Sequence, residues 1–321
     1  MPALDLVELA ARLQGAGVTG LAPLPGGASS LTYEAELRGR AVVVKVAPPG
    51  LPAVLHRDVL RQARILRALA RSDVPVPEVL WEDAGAPPEV PPLFVMSFVE
   101  GSSLEPLFDR EGEAVDPDQV GARLRDAVRI LAALHRLEPH SLGLDEDGTG
   151  PLDEVARWSR LFETVDPELV RGWTSVRDRL EEAAPPAVAP AVVHGDFRLG
   201  NLLADGPRIR GVIDWEIWSL GDPRVDVGWF LLNADPESYA RATRYAALIP
   251  SRTELAGEYA AALGAPVPDL AWFEALASFK SAATWSLIVK HNRRRAAPDP
   301  DLESMVRDVP RLLARAGELA G

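Results

Sequence analysis

The segment His194-Gly195-Asp196-Phe197-Arg198-Leu199-Gly200-Asn201, followed by Ile213-Asp214-Trp215-Glu216, sets three side chains that can handle metal or protons between apolar runs. Val192-Val193 reads as a strand entering the first segment, and Leu202-Leu203 as a strand leaving it. The turn Ala204-Asp205-Gly206-Pro207 carries an Asp-Gly signal, and Gly211-Val212-Ile213 returns the chain to Asp214. A hairpin of that length predicts Asn201 and Asp214 as neighbours, with Asp196 on the loop before them. Ionised carboxylates held close repel unless a cation lies between them, and oxygen ligands with carboxylate charge suit Mg²⁺. The pattern therefore implies a divalent cation and the phosphoryl chemistry that it assists. A polar loop with Asp and Asn chosen for turn geometry is the plainer reading of either segment alone. The two together, in this order and spacing, favour the metal site.

These residues need elements to position them. Pro25-Gly26-Gly27-Ala28-Ser29-Ser30 is a glycine-containing loop ahead of a predicted strand from Leu31 to Leu37, and Arg38-Gly39-Arg40 turns into a second strand through Ala41–Val46. Strand alternation puts Val43 and Lys45 on one face and Val42, Val44 and Val46 on the other. Only three of the 34 basic residues are lysine: Lys45, Lys280 and Lys290. A lysine in a strand core, in a chain whose default cation is arginine, asks for a reason. A compact ammonium facing a cleft under the glycine loop would pair with phosphate. From Ala53 to Ala70, Leu55, Val59, Leu66 and Leu69 recur at helical spacing with Gln62 inside the stripe. Leu93–Val99 reads as a buried strand that ends at Glu100-Gly101-Ser102-Ser103, where a lobe boundary is expected.

Beyond that boundary the pattern turns helical. Asp118–Leu137 is amphipathic through Leu124, Val128, Leu131 and Leu134, and His135 at the end of the stripe reads as a hydrogen-bonded core histidine. Two helical patterns between Leu152 and Leu180 hold Trp158, Phe162 and Trp173, and a longer one from Asp269 to Arg295 holds Trp272, Phe273, Phe279 and Trp285. Aromatic residues so spaced read as core before they read as an acceptor pocket. Arg293-Arg294-Arg295 complements a helix C-terminus.

The composition excludes several function classes. A chain of 321 residues, 47% apolar and 25% charged, has enough core for one large domain or two lobes. Net charge of −13 disfavours nucleic acid and anionic membrane as partners, and it would concentrate cations such as Mg²⁺ or a cationic acceptor, although solubility explains the same charge. The absence of cysteine rules out disulfides, thiolate metal sites and a cysteine nucleophile. No apolar run is long enough to span a bilayer, and Met1–Gln14 has no basic leader, so a cytoplasmic protein is expected. The oligomeric state has no signature.

The spacing Asp-x-x-x-x-Asn from Asp196 to Asn201, with His194 two residues earlier, is that of the kinase catalytic loop. From about Leu24 to the C-terminal helices, and most specifically from His194 to Trp229 with Gly221-Asp222-Pro223 and Asp226, the chain resembles the aminoglycoside phosphotransferase and choline kinase-like family of small-molecule kinases. Arg198-Leu199-Gly200-Asn201, with Trp272-Phe273-Glu274-Ala275 and Phe279, looks most like the phosphotransferase domains fused to some acyl-CoA dehydrogenases. The resemblance implies an α+β, two-lobed protein-kinase-like fold. A small antiparallel-sheet nucleotide-binding lobe would span residues 1–99, and a mostly helical catalytic and substrate-binding lobe residues 100–321. It implies transfer of the γ-phosphoryl group of ATP, with GTP left open, to a hydroxyl of a small molecule in the presence of Mg²⁺. Asp196 would orient that hydroxyl and accept its proton, and Asn201 and Asp214 would hold the metal. Lys45 would fix the phosphates with the loop residues Gly26, Gly27, Ser29 and Ser30, and the Ser97 carbonyl and Val99 amide would hold the base.

In this family Gly221, Asp222, Pro223 and Asp226 are expected to brace the segment after Asp214. Glu216 would support the metal ligands or touch a cationic acceptor. Relatives place a glutamate where Gln62 stands, so Lys45 is expected to donate to a neutral acceptor there, with Asp58 one turn earlier as an alternative partner. That departure motivates a second reading, a non-catalytic nucleotide sensor. A metal-dependent phosphohydrolase would leave Lys45 and the glycine loop unexplained. Aminoglycosides, macrolides, amino alcohols and hydroxyacyl thioesters are all admitted as acceptors.

Overall fold

The valine alternation in Ala41–Val46 sets the plan of the first of two units. A computed structural model describes residues 4–24, 30–108 and 116–321. Contacts group Met1–Ser102, Asn201–Asp205 and Ile209–Trp218 into one unit and Ser103–Gly200, Gly206–Arg208 and Ser219–Gly321 into the other. The first unit runs α1 (Leu6–Gly15), β1 (Val18–Pro23), β2 (Leu31–Leu37), β3 (Arg40–Val46), α2 (Val59–Leu69), β4 (Val79–Asp83) and β5 (Leu93–Ser97). Its sheet has the order β1-β2-β3-β5-β4 with every neighbouring pair antiparallel. Val42, Val44 and Val46 share a core with Leu9 and Leu13 of α1, Tyr33, Leu93 and Val95. Lys45 falls on the opposite face, where its ammonium reaches Gln62 on α2.

The helix α2 begins later than the apolar spacing predicts. Residues 55–57 form a single 3₁₀ turn, and Asp58 caps α2 by accepting hydrogen bonds from the Leu60 and Arg61 N–H groups. The N-cap chemistry of aspartate thus overrides a periodicity that extends back to Leu55.

The second unit contains α3 (Gln119–His135), α4 (Pro151–Phe162), α5 (Trp173–Glu182) and the short strand β6 (Ala191–Val193). The chain then crosses the His194–Asn201 loop and forms the predicted hairpin of β7 (Leu202–Asp205) and β8 (Arg208–Val212), which apart from residues 206–208 belongs to the first unit. Ser102 and Ala204 exchange backbone hydrogen bonds of 2.9 and 3.0 Å, which ties this hairpin to the end of the first segment. β9 (Ser219–Gly221) returns antiparallel to β6. Next come α6 (Arg224–Ala234), α7 (Arg252–Leu263), α8 (Leu270–Asn292), α9 (Pro300–Ser304) and α10 (Asp308–Leu319).

Both α6 and α8 are apolar on nearly every side, as befits helices enclosed by others. Trp158, Phe162, Trp272, Phe273, Phe279 and Trp285 all lie in the core of this unit, as their spacing implied. Phe162 stacks on Trp173 at 5.2 Å and Tyr239 on Trp285 at 4.5 Å. Arg293 follows α8 directly and pairs with Glu303 at 2.6 Å. Among the described residues, no helix is long and apolar enough to cross a membrane.

The approach of α6 to α8 depends on Gly228. A Cβ at this position would lie 2.4 Å from the Phe273 carbonyl oxygen, in helix backbone that has no flexible end to give way. Gly228→Ala is therefore expected to lower stability by about 1–3 kcal/mol through overpacking. Calorimetry would show this as a lower Tm, and an unchanged Tm would show that the two helices separate freely.

Candidate active site

In the first unit, β3, α2 and the β7–β8 hairpin bring Lys45, Gln62, Asn201 and Asp214 together. The Lys45 Nζ donates to Gln62 Oε1 at 2.9 Å and to Asp214 Oδ1 at 3.1 Å. Lys45 is buried, and the Asp214 side chain remains about a third exposed at 32%. Gln62 is 3% exposed, so it points inward at Lys45 rather than lying at the wet edge of α2. Its Nε2 is buried with no hydrogen-bond partner among the described residues. The alternative partner Asp58 is engaged instead with the backbone of α2.

Asp214 is held in the left-handed region at φ 65°, a conformation rare for a residue with a side chain and sustained here by its surroundings. The Ile213 N–H donates to the Asn201 carbonyl at 3.0 Å, the Val212 N–H to the Pro75 carbonyl at 2.8 Å, and the Trp215 indole back to the Val212 carbonyl at 2.9 Å. Asn201 is thereby backbone-paired to the residue before Asp214. No cluster of three or more His, Cys, Asp or Glu residues suited to a metal exists among the described residues. One carboxylate and one amide nevertheless fit Mg²⁺, which keeps several waters and shares its coordination with phosphate oxygens.

The loop residues Gly26, Gly27 and Ser29 lie outside the described residues. Ser30, which follows them, is buried, with its hydroxyl unpartnered among the described residues. Ser97 closes β5 opposite Val42, and its hydroxyl accepts the Glu78 N–H at 2.9 Å. Val99 lies two residues further on, with its side chain against Gly211.

In the second unit, the loop carrying Asp196 is gripped from α6. The Asp226 carboxylate, wholly buried, accepts the His194 N–H at 2.6 Å and the Gly195 N–H at 2.8 Å. His135 Nε2 lies 3.4 Å from the same carboxylate, and His135 Nδ1 lies 2.7 Å from the Tyr259 hydroxyl. Burial alone would raise the pKa of Asp226, but the hydrogen bonds and charges of His135 and His194 hold it below its ordinary value. Asp226 therefore braces the segment before Asp196, in place of the expected role after Asp214. Gly221 and Asp222 act on neighbouring ground: Gly221 pairs with Ala191 of β6, and Asp222 forms an ion pair of 2.7 Å with Arg224 at the start of α6. His135 is the core histidine that its position suggested. His194 is fully buried, and its Nδ1 accepts the Asp196 N–H at 3.1 Å, which tightens the turn.

The Asp196 carboxylate itself is 23% exposed. Its Oδ1 accepts the Trp229 indole N–H at 2.8 Å and the Arg198 Nε–H at 3.2 Å. Arg198 continues to Glu105 Oε2 at 2.5 Å. Burial opposes the Arg198 charge, but the two carboxylates outweigh it and raise its pKa. Burial pushes Glu105 up despite that guanidinium. From α8, the buried Lys280 Nζ donates to the Gly195 carbonyl and lies 3.8 Å from the centre of the Trp229 ring. The sequence did not single out Arg198, Trp229 or Lys280 for these roles. The one available signal for Lys280 was the scarcity of lysine.

The phosphotransferase enzyme family matches residues 20–276 of the chain. Acyl-CoA dehydrogenase family member 11 of Gallus gallus is 27% identical over 285 residues, covering 84% of this chain and 36% of its own length. Viomycin phosphotransferase of Streptomyces vinaceus is 31% identical over 180 residues, covering 52% of this chain and 59% of its own. The chain spans between 20% and 36% of the first acyl-CoA dehydrogenase relatives that it matches. Among solved structures, a candidate aminoglycoside phosphotransferase from Ralstonia eutropha JMP134 superposes with a TM-score of 0.79 at 23% identity, covering 99% of this chain and 98% of the other. Aminoglycoside phosphotransferase APH(4)-Ia, as a ternary complex with ADP and hygromycin B, gives 0.64 at 17% identity, covering 98% of each. These likenesses establish the kinase-like fold that the sequence predicts, an antiparallel-sheet N-terminal part followed by a helical C-terminal part.

The buried Asp226 generates a stability prediction. Asp226→Asn leaves a single acceptor oxygen for two backbone donors and is expected to destabilise the second unit by about 2–3 kcal/mol at neutral pH. Because the carboxylate sits below its ordinary value of 3.8 in the folded protein, its stabilisation is complete above that pH and disappears as the pH falls through the lower folded value. Urea unfolding at several pH values should therefore show wild type and variant converging in acid. Parallel curves would deny the carboxylate its charge-dependent role.

Proposed function

The chain belongs to the phosphotransferase enzyme family, and within it we propose that this protein moves the γ-phosphoryl group of ATP, with Mg²⁺, to a hydroxyl group of a small molecule. The observation that carries the reading is the Lys45–Asp214 contact of 3.1 Å, with Asn201 joined through Ile213. A buried ammonium and a carboxylate about a third exposed that neutralise each other are the two groups that a metal–triphosphate would engage separately: phosphate oxygens for Lys45, the cation for Asp214. Bound Mg²⁺ would neutralise charge on the phosphate oxygens.

Asp196 supplies the other requirement. Its carboxylate is held by Trp229 and Arg198 yet partly open to solvent, so an incoming hydroxyl can reach it, donate a hydrogen bond to it and then give up its proton. Positioning and charge neutralisation supply most of the acceleration in this chemistry. Gly26, Gly27, Ser29 and Ser30 would close over the phosphates, and the Ser97 carbonyl and Val99 amide would hold the base. APH(4)-Ia, bound to ADP and hygromycin B, supports a nucleotide donor and a small-molecule acceptor here. The acyl-CoA dehydrogenase relatives keep hydroxyacyl thioesters among the acceptor classes, beside aminoglycosides.

A nucleotide sensor is the second reading, favoured by the neutral Gln62 at Lys45. Mg-ATP binding without transfer to any hydroxyl acceptor would select it.

Two variants test the assignment. Asp196→Asn is expected to lower transfer by about 10²–10⁴-fold, the scale of a lost general base, while calorimetry finds Mg-ATP binding intact. Wild-type turnover in that variant would remove Asp196 from the reaction. Gln62→Glu would give Lys45 a charged partner, release Asp214 for the metal and tighten Mg-ATP binding by about fivefold, the gain from a charged over a neutral acceptor. Unchanged affinity would argue against this division of roles.

A further inference from the structure

We infer that Lys280 is a positioning residue that clamps Asp196 from both sides: its ammonium donates to the carbonyl of Gly195, one residue before Asp196, and lies on the face of the Trp229 indole whose N–H holds the Asp196 carboxylate. The inference rests on the reading of Asp196 as the base of the proposed reaction.

The geometry makes one cation serve two contacts with the same loop. Gly195 is already fixed through its N–H by Asp226, so Lys280 takes the carbonyl of a residue whose other backbone group is spoken for. Trp229 stands one helical turn beyond Asp226 on α6, which places both on the side facing the loop. The 3.8 Å approach of the ammonium to the Trp229 ring is close for a cation–π contact, and Trp158 of α4 lies on another side at 5.2 Å. With the ring pinned, the indole N–H is aimed at Asp196 Oδ1.

A lysine serves packing poorly here. Lys280 is buried within an aromatic core where an apolar side chain of similar length would fit without desolvating a charge. The charged groups facing it are Asp196 on the loop, Glu154 and Arg157 on α4, and Asp226 on α6. Burial outweighs the three carboxylates and pushes the ammonium down to about 8. Below that pH the folded protein carries a charge it holds less readily than the unfolded chain does, so the charged form lowers stability, and the penalty fades as the pH rises from about 8 toward the ordinary value of 10.5. Its contacts with the loop and the Trp229 ring, rather than fold stability, are what this lysine contributes.

The scarcity of lysine makes the test direct. In protein labelled with ¹³C-lysine, three Cε signals are expected, and the one missing from Lys280→Met should titrate near pH 8. The Trp229 indole ¹⁵N–¹H signal, assigned by its loss in Trp229→Phe, should move with the same midpoint. Hydrolysis of Mg-ATP by water serves as the rate probe, since it needs no acceptor. Wild type is expected to lose rate above pH 8. Lys280→Met should run about 10–100-fold slower at neutral pH, without that alkaline limb and with unchanged Mg-ATP affinity and an equal or higher Tm. Lys280→Arg, which keeps the charge, should recover rate and lose the limb. A Trp229 signal indifferent to the Lys280 titration would overturn the clamp whether or not any variant folds, as would Lys280→Met with the wild-type rate and pH profile. Asp196→Asn separates the two claims: wild-type hydrolysis in that variant defeats the reading of the base, whereas its failure beside a fully active Lys280→Met defeats the clamp alone.

Discussion

A carboxylate sealed from water, Asp226, holds two successive backbone N–H groups at the mouth of the loop that carries Asp196. An ionised group in such a place is tolerable only when its oxygens are filled by good donors, and here His194, Gly195 and His135 supply them. The grip fixes two consecutive peptide units and stabilises Gly195 at φ 84°, a conformation that favours glycine. The direction in which Asp196 leaves the loop follows from that. His135 and Tyr259 extend the anchor into α3 and α7, so the loop rests on three helices rather than on its own turn geometry.

The two buried lysines show how differently one charge can be accommodated. Lys45 has a carboxylate and an amide oxygen within 3.1 Å, a pairing that a competing anion can replace at one oxygen and not the other. Lys280 has a carbonyl and two indole faces, none of which can leave. The first arrangement suits a ligand-responsive site and the second a fixed support. Gln62 matters in this light because a neutral neighbour leaves Asp214 as the group that balances Lys45, whereas a carboxylate in its place would compete for the ammonium.

Local pattern made much of the fold legible. The alternation in Ala41–Val46 separated Lys45 from the α1-facing valines, the Asp-Gly turn gave the β7–β8 hairpin, and aromatic spacing gave the helical core. The start of α2 was misjudged because Leu55 continues an apolar stripe that the cap at Asp58 interrupts. At the site, the spacing from Asp196 to Asn201 and the return to Asp214 are carried by a few consecutive residues and could be read directly. Trp229 meets Asp196 from 33 residues away and Lys280 meets Gly195 from 85, distances over which no periodicity survives. Asp226 was noticed, but its target was assigned to the wrong side of the hairpin, since only tertiary packing decides which loop a buried carboxylate faces.

One turn of α6 joins the stability of the second unit to its chemistry. Asp226 takes the loop backbone, Gly228 admits the backbone of α8, and Trp229 takes the Asp196 carboxylate. The glycine is the least conspicuous of the three, yet the other helix can bring Lys280 to Gly195 only if the two axes lie close at Phe273, seven residues, about two turns, before Lys280. Any side chain at 228 that forced α8 outward would draw the Lys280 ammonium away from the carbonyl and the indole together. Helix packing density and the aim of the Asp196 carboxylate are therefore one constraint, imposed by an absent Cβ.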